Sequence, residues 1–143
     1  MSLSITQARD EMLTMLKDAI EASSYSTITI RYQDISQERE AAAASSPDPY
    51  LCAEVQHIFG GQTSLGRPAR FTRRGLIRVS IFNPRGSGMS TSDEIAQIVL
   101  DAYEGQSSPG GVWFRNATVR EAAVDGIWTR VDVVIDFTYN EQK

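Results

Sequence analysis

The sequence has a single cysteine and no long hydrophobic run. Cys52 has no partner for an internal disulfide, so we expect a reducing compartment. No segment approaches the roughly 20 consecutive apolar residues of a transmembrane helix, and Met1-Ser2-Leu3-Ser4 lacks the basic and apolar blocks of a secretory signal. The 143 residues are 41% hydrophobic and 22% charged, as in an average soluble protein. We expect one domain spanning residues 1–143, with a substantial core.

Acidic residues are absent from Val55 to Ser92, although the chain as a whole has 18 acidic and 14 basic residues and a net charge of −4. That stretch contains six arginines: Arg67, Arg70, Arg73, Arg74, Arg78 and Arg85. The rest of the chain is therefore strongly acidic. A block this one-sided indicates either a solvent-exposed loop or a surface that binds an acidic partner, such as DNA or another protein.

Catalytic and metal-binding signatures are also missing. The only histidine, His57, lies in a predicted strand that carries Cys52 on its opposite face, so the two do not form a nucleophile–base pair. Asp132 and Asp136 share a strand face but would lie about 13 Å apart, too far for a paired-carboxylate site. Neither a metal-ligand spacing nor a phosphate-binding loop is present. We therefore predict a protein that is not an enzyme and uses no cofactor.

Two amphipathic helices are predicted. Apolar residues recur at three- and four-residue spacing over Ser4–Ala22, which begins with a capping-box pattern. A second helix opens at Thr91-Ser92-Asp93-Glu94, another capping-box pattern, and Gly105 suits its C-terminal cap. A shorter helix is predicted over Ser36–Ala44.

Five strands are predicted from alternating or β-branched runs: Ser26–Tyr32, Tyr50–Phe59, Gly75–Asn83, Trp113–Ala123 and Ile127–Tyr139. Val124-Asp125-Gly126 marks a hairpin between the last two. Gly60–Arg74 combines glycines, a proline and four arginines with few apolar residues, which indicates a long flexible basic loop or a β-arm. The order predicts an α+β fold: a mainly antiparallel twisted sheet of about five strands with two helices packed on one face.

The segment Arg74–Asn140 resembles the tail terminator (tail completion) proteins of long-tailed phages and prophages. The resemblance lies in the strand Gly75–Pro84, the Gly86–Gly88 turn before a helix, Val124–Trp128, and the strand ending in Phe137-Thr138-Tyr139. These motifs are turn and strand patterns, not catalytic signatures. Ser36–Ser46 and the density of arginines depart from the family pattern.

The resemblance implies a structural virion protein. Family members form a six-fold ring on the finished tail tube, end its polymerisation and offer a joining surface to the head connector or stopper protein. DNA passes through the lumen without sequence-specific binding. The expected partners are therefore other copies of the chain, the tube protein and the stopper, with no membrane. The expected location is the tail or neck of a virion assembled in the bacterial cytoplasm.

A ring requires two different surfaces of each subunit to meet. We predict an assembly interface between the six arginines above and the acidic residues of the second helix: Asp93, Glu94, Asp101 and Glu104. The alternative is a small DNA-binding protein, or another head–tail neck protein, that uses the arginine-rich loop. The acidic net charge and the acidic helices argue against DNA binding.

Overall fold

The computed structural model describes residues 3–32, 48–84, 86, 88–121 and 128–143. Two α-helices and five β-strands occupy these ranges: α1 (Ile5–Glu21), β1 (Thr29–Tyr32), β2 (Tyr50–Gln62), β3 (Arg70–Pro84), α2 (Ser90–Tyr103), β4 (Trp113–Glu121) and β5 (Trp128–Gln142). The predicted α+β fold is confirmed. The predicted helix Ser36–Ala44, the hairpin turn Val124–Gly126 and Arg85 lie outside the described residues.

The strands form one sheet in the order β1-β2-β3-β5-β4. The β2–β3, β3–β5 and β5–β4 pairs are antiparallel, whereas β1 lies parallel to β2, with Thr29 opposite Tyr50. β3 is the central strand and has a long partner on each side. Its position explains why its sequence carries apolar residues on both faces.

Both helices pack on the same face of the sheet, as predicted. The buried stripe of α1 and that of α2 meet strand residues in one core cluster. Tyr103 ties the helices together, because its buried hydroxyl donates a 2.7 Å hydrogen bond to the Met12 carbonyl. Burial raises the pKa of this phenol, so Tyr103 stays neutral and keeps its donor proton. The opposite face, which we call the open face, carries a smaller aromatic cluster of Tyr50, Phe82 and Trp128.

The two predicted capping boxes have different outcomes. The first is confirmed: the Gln7 amide donates to Ser4 Oγ at 3.2 Å, and the Ser4 amide donates to Gln7 Oε1 at 3.0 Å. The second is wrong. The helix begins at Ser90, so Thr91 is already helical, and the N-cap residue Met89 has no side-chain oxygen to accept from the first turn.

The segment Gly60–Arg74 is a β-arm and not a long loop. β2 continues to Gln62 and β3 begins at Arg70, so only residues 63–69 connect them. The end of β5 pairs with the other side of β3 as far as Arg70 and Gln142. We call Phe59–Arg74, together with Thr138–Gln142, the arm. Backbone pairing to two neighbouring strands outweighs the low apolar content that favoured a loop. The flexibility expected of this segment stays a prediction.

The arm leaves the body of the sheet at Gly75. This residue pairs with His57 and with Phe137. One β-bulge interrupts the β2–β3 pairing directly after His57, and a second interrupts the β4–β5 pairing directly beside Phe137. A side chain at Gly75 would collide with the Gln56 carbonyl, and its Cβ would lie 2.7 Å from Phe137 Cζ. Bulges bend strands and increase their twist. Gly75 is therefore required where the backbones and the Phe137 ring approach most closely.

Gly75→Ala should destabilise the protein by about 1–3 kcal/mol, because neither the backbone carbonyl nor the buried ring can move away freely. Gly61→Ala is the matched control within the arm. Its Cβ would meet only the exposed Phe59 ring, at 3.0 Å, so its stability should stay within about 0.5 kcal/mol of the wild type. Urea denaturation measures both, and equal stabilities would contradict the assignment of Gly75 as the bend.

Candidate interaction surface

His57 has a structural role at the base of the arm. Its Nε2 lies 2.7 Å from the Tyr139 hydroxyl, and its ring packs edge-on against Phe137 and Tyr139. Burial, followed by the charges of Arg9 and Arg73, lowers the pKa of the imidazole below 6.5. The hydrogen bond and the ring contacts account for this residue without a catalytic function.

The part of the chain that the structure describes contains neither a metal-binding cluster nor a membrane-spanning helix. It contains no group of three or more His, Cys, Asp or Glu side chains arranged to hold a metal ion. Within the same ranges, neither helix is both long and apolar enough to cross a membrane.

The three most exposed large apolar side chains of the described residues lie in the arm or directly beside it. Ile58 is 65% exposed, Phe59 56% and Leu65 93%. Leu65 lies in the connection 63–69, at the tip of the arm, and the other two lie at its base. Exposed apolar groups clustered on one projection mark a surface that binds another molecule.

The predicted arginines divide between the two faces of β3. Arg70, Arg74 and Arg78 follow each other at four-residue steps and therefore share the open face, whereas Arg73 points to the helix face. Arg73 forms a 3.0 Å ion pair with Glu141, and both side chains are largely buried. Arg73 and Arg74 were predicted to have the same role, but only Arg74 is exposed.

Arg78 and Arg67 complete the set that the structure describes. Arg78 forms a 3.0 Å ion pair with Glu54 across the β2–β3 ladder. Arg67 is exposed in the connection at the arm tip. The cations that remain available for a partner are therefore those at the tip and on the open face of the arm: Arg67, Arg70 and Arg74.

A groove of about 310 Å³ lies on the open face where the arm bends. The two bulges supply part of its lining. Ile58 is the extra residue of one, and at the other Arg115 and Asn116 together lie opposite the single residue Asp136. Arg74 lies 5.9 Å from the centre of the Phe59 ring on the rim. Asp136 accepts a hydrogen bond from Asn116 at 3.3 Å.

The groove combines apolar side chains with two cations, Arg74 and Arg115, and one carboxylate, Asp136. Among the described residues, neither Arg74 nor Arg115 forms a salt bridge. The site residues predicted from the sequence do not include Arg115, Ile58 or Phe59. No local sequence pattern marks these residues, because the β-bulges that bring them to the groove arise from pairing between distant strands.

The four predicted acidic residues are exposed: Asp93, Glu94 and Asp101 lie on α2, and Glu104 is the C-cap residue directly after it. Glu94, Asp101 and Glu104 lie along one stripe of the helix at seven- and three-residue spacing, with Gln97 between them. Glu94 accepts a hydrogen bond from the Tyr25 hydroxyl, and Asp101 accepts one from Gln97 at 2.8 Å. None of the four acids forms a salt bridge with a residue in the described ranges. We call Glu94, Asp101 and Glu104 the acidic stripe.

The arginines and the acidic stripe do not meet within one chain. α2 packs on the helix face of the sheet, and the groove opens on the other face. The two surfaces of opposite charge therefore lie on opposite sides of the molecule.

Comparison with known proteins finds similarity in fold. One solved structure, whose name states no function, is 18% identical with a TM-score of 0.71, over 96% of this chain and 96% of its own. A chain from the virion of a native gene transfer agent (GTA) particle is 19% identical with a TM-score of 0.53, over 91% of this chain and 92% of its own. No family model and no curated protein matches the chain. At these identities the likeness concerns the fold.

Arg73→Glu and Arg74→Glu should separate a structural arginine from a surface arginine. Arg73→Glu breaks a largely buried ion pair and brings two carboxylates together, so it should cost about 1–3 kcal/mol. Arg74→Glu should change stability by less than about 0.5 kcal/mol. Adding Glu141→Arg to Arg73→Glu should recover part of the loss. Urea midpoints measure all three variants, and a larger loss for Arg74→Glu would contradict the face assignment.

His57 gives the only histidine signal in a proton NMR spectrum, since the chain has one histidine. Its pKa in the folded protein should lie below 6.5, because burial and two arginines disfavour the imidazolium. Below pH 6.5 the unfolded chain then binds more protons at His57 than the folded chain does. The contribution of His57 to the free energy of unfolding is therefore present above pH 6.5 and is lost as the pH falls through the lower pKa of the folded state. His57→Gln should remove that component of the pH dependence. A pKa above 6.5 in the folded protein would contradict this prediction, because it would mean that a carboxylate has a larger effect on the His57 pKa than Arg9 and Arg73.

Proposed function

We propose that this chain is a structural protein of a phage-like virion that caps the tail tube as a ring. The ring ends tube polymerisation and presents the joining surface to the head connector or stopper protein. The six-fold symmetry comes from the family that the sequence resembles. The partners are the neighbouring copies, the tube protein and the stopper, and DNA passes through the lumen without sequence-specific contacts.

The observation that carries this proposal is the fold shared with a GTA virion chain over nearly the full length of both. The sequence resemblance to tail terminators leads independently to the same class of protein. The exposed arm suits it, because a protein that works by assembly needs projections with apolar and charged groups for its neighbours.

The proposed role requires no reaction. Assembly by shape and charge uses the arm, the groove and the acidic stripe as contact surfaces. A virion location follows from the same proposal, with assembly in the cytoplasm of a bacterial host.

A second candidate is a DNA-binding protein that uses the arginines of β3. The observation in its favour is the row of Arg70, Arg74 and Arg78 on one face. Glu54 already neutralises Arg78 in that row, which weakens it as a phosphate-binding surface. Measurable duplex affinity at moderate salt, lost on Arg70→Glu with Arg74→Glu, would favour this candidate.

Purified protein mixed with tail tubes should produce a ring on one end of each tube, visible by negative-stain electron microscopy. Tubes grown in its presence should be shorter than tubes grown alone, because the cap blocks addition of the next tube subunit. Heat-unfolded protein is the control. Tubes of unchanged length with bare ends would contradict the proposed function.

A further inference from the structure

We propose that the groove at the bend of the arm is the docking site for the acidic stripe of α2 of a second copy of this chain. The inference rests on the proposed function and names the two surfaces that meet between neighbouring copies of the ring.

The opposite charges of the groove and the acidic stripe favour the stripe as the occupant of the groove. Arg74 and Arg115 line the groove with one carboxylate, Asp136, so two positive charges and one negative charge leave the lining with one net positive charge. No salt bridge within the described residues neutralises either arginine. The acidic stripe has three exposed carboxylates, and α2 contains no basic residue. The arm tip of a second copy is a poorer occupant, because its Arg67 and Arg70 would place like charges against Arg74 and Arg115.

The dimensions of the two surfaces agree. Arg70 and Arg74 are four residues apart along one strand face, a distance of roughly 13 Å. On α2, Glu94 precedes Asp101 by roughly 10 Å and Glu104 by roughly 15 Å along the helix axis. Arg74 in the groove and Arg70, which lies beyond the groove on the same face of the arm, can therefore each meet a carboxylate of the stripe. The exposed Ile58 and Phe59 provide apolar area beside these contacts.

The positions of the surfaces make the contact heterologous. The groove opens on one side of the sheet and α2 covers the other, so a chain cannot satisfy its own groove. Each copy would use its groove on one neighbour and its acidic stripe on the next. A contact of this kind closes into a ring when the rotation per subunit allows it.

Charge reversal tests both surfaces in the full-length chain. Arg74→Glu with Arg115→Glu, and separately Asp101→Lys with Glu104→Lys, should each weaken self-association by at least about tenfold in sedimentation velocity at low salt. Arg120→Glu on β4 and Asp10→Lys on α1 are matched controls at exposed positions away from both surfaces, and they should associate like the wild type. Thermal melting establishes that each variant is folded.

Mixing the two reversed variants gives the decisive measurement. The glutamate groove of one variant faces the lysine helix of the other, and the remaining pair of surfaces keeps its native charges. An equimolar mixture should therefore recover association and form closed rings of alternating composition, although each variant alone does not. Failure of the mixture to associate, with both variants folded, would overturn the proposed docking site.

The remaining outcomes separate this inference from the proposed function. Wild-type association by the groove variant, together with normal tube capping, would overturn the docking site and leave the capping function standing. A wild-type protein that neither associates nor binds tubes would overturn both. Unchanged association with loss of salt-dependent DNA affinity in the groove variant would assign Arg74 and Arg115 to DNA instead.

Discussion

The close approach of three groups at Gly75 is the constraint on which the outer half of this molecule depends. The Gln56 carbonyl and the Phe137 ring occupy the space that any side chain at position 75 would need. The central strand then lies between β2, which has a bulge beside Gly75, and β5, whose other partner β4 has the second bulge, and the sheet continues beyond its own core as the arm. The same bulges turn Ile58 and Arg115 toward the groove. Gly75 thus allows both the arm and the groove to form.

The sheet divides the molecule chemically as well as geometrically. On the helix face the strands bury apolar side chains against both helices, and Tyr103 fixes the distance between the helices through Met12. The open face has no helix in the described residues and carries ion pairs such as Arg78 with Glu54 and Arg130 with Asp132. Since the acidic helix and the basic groove belong to different faces, the charges of these two surfaces cannot neutralise each other within one chain.

The elements with a clear hydrophobic period were predictable from the sequence, and those that depend on pairing were not. Three- and four-residue spacing identified both helices, and alternation identified the central strands. The ends of β2 and β3 could not be found in this way, because Gly60–Arg74 has little apolar content and forms strands through non-local ladders. The second capping box failed because the helix starts before Thr91. Arg73 and Arg74 look equivalent in sequence. Only the pairing of β3 with β5 shows that Arg73 lies beside Glu141 and forms an ion pair with it.

Under the proposed ring, weak contacts are sufficient and also advantageous. An exposed ion pair contributes only about 0.2–1 kcal/mol, so one groove and one acidic stripe hold two free copies together poorly. A closed ring of identical subunits gives every copy two such contacts, and a tube end holds the copies at high local concentration. At low concentration the free chain then stays dispersed until a tube offers its end, whereas higher concentration allows the copies to associate. The arm suits this behaviour because its fold rests on backbone pairing and on the Arg73–Glu141 ion pair, which leaves Arg74 available to the neighbour.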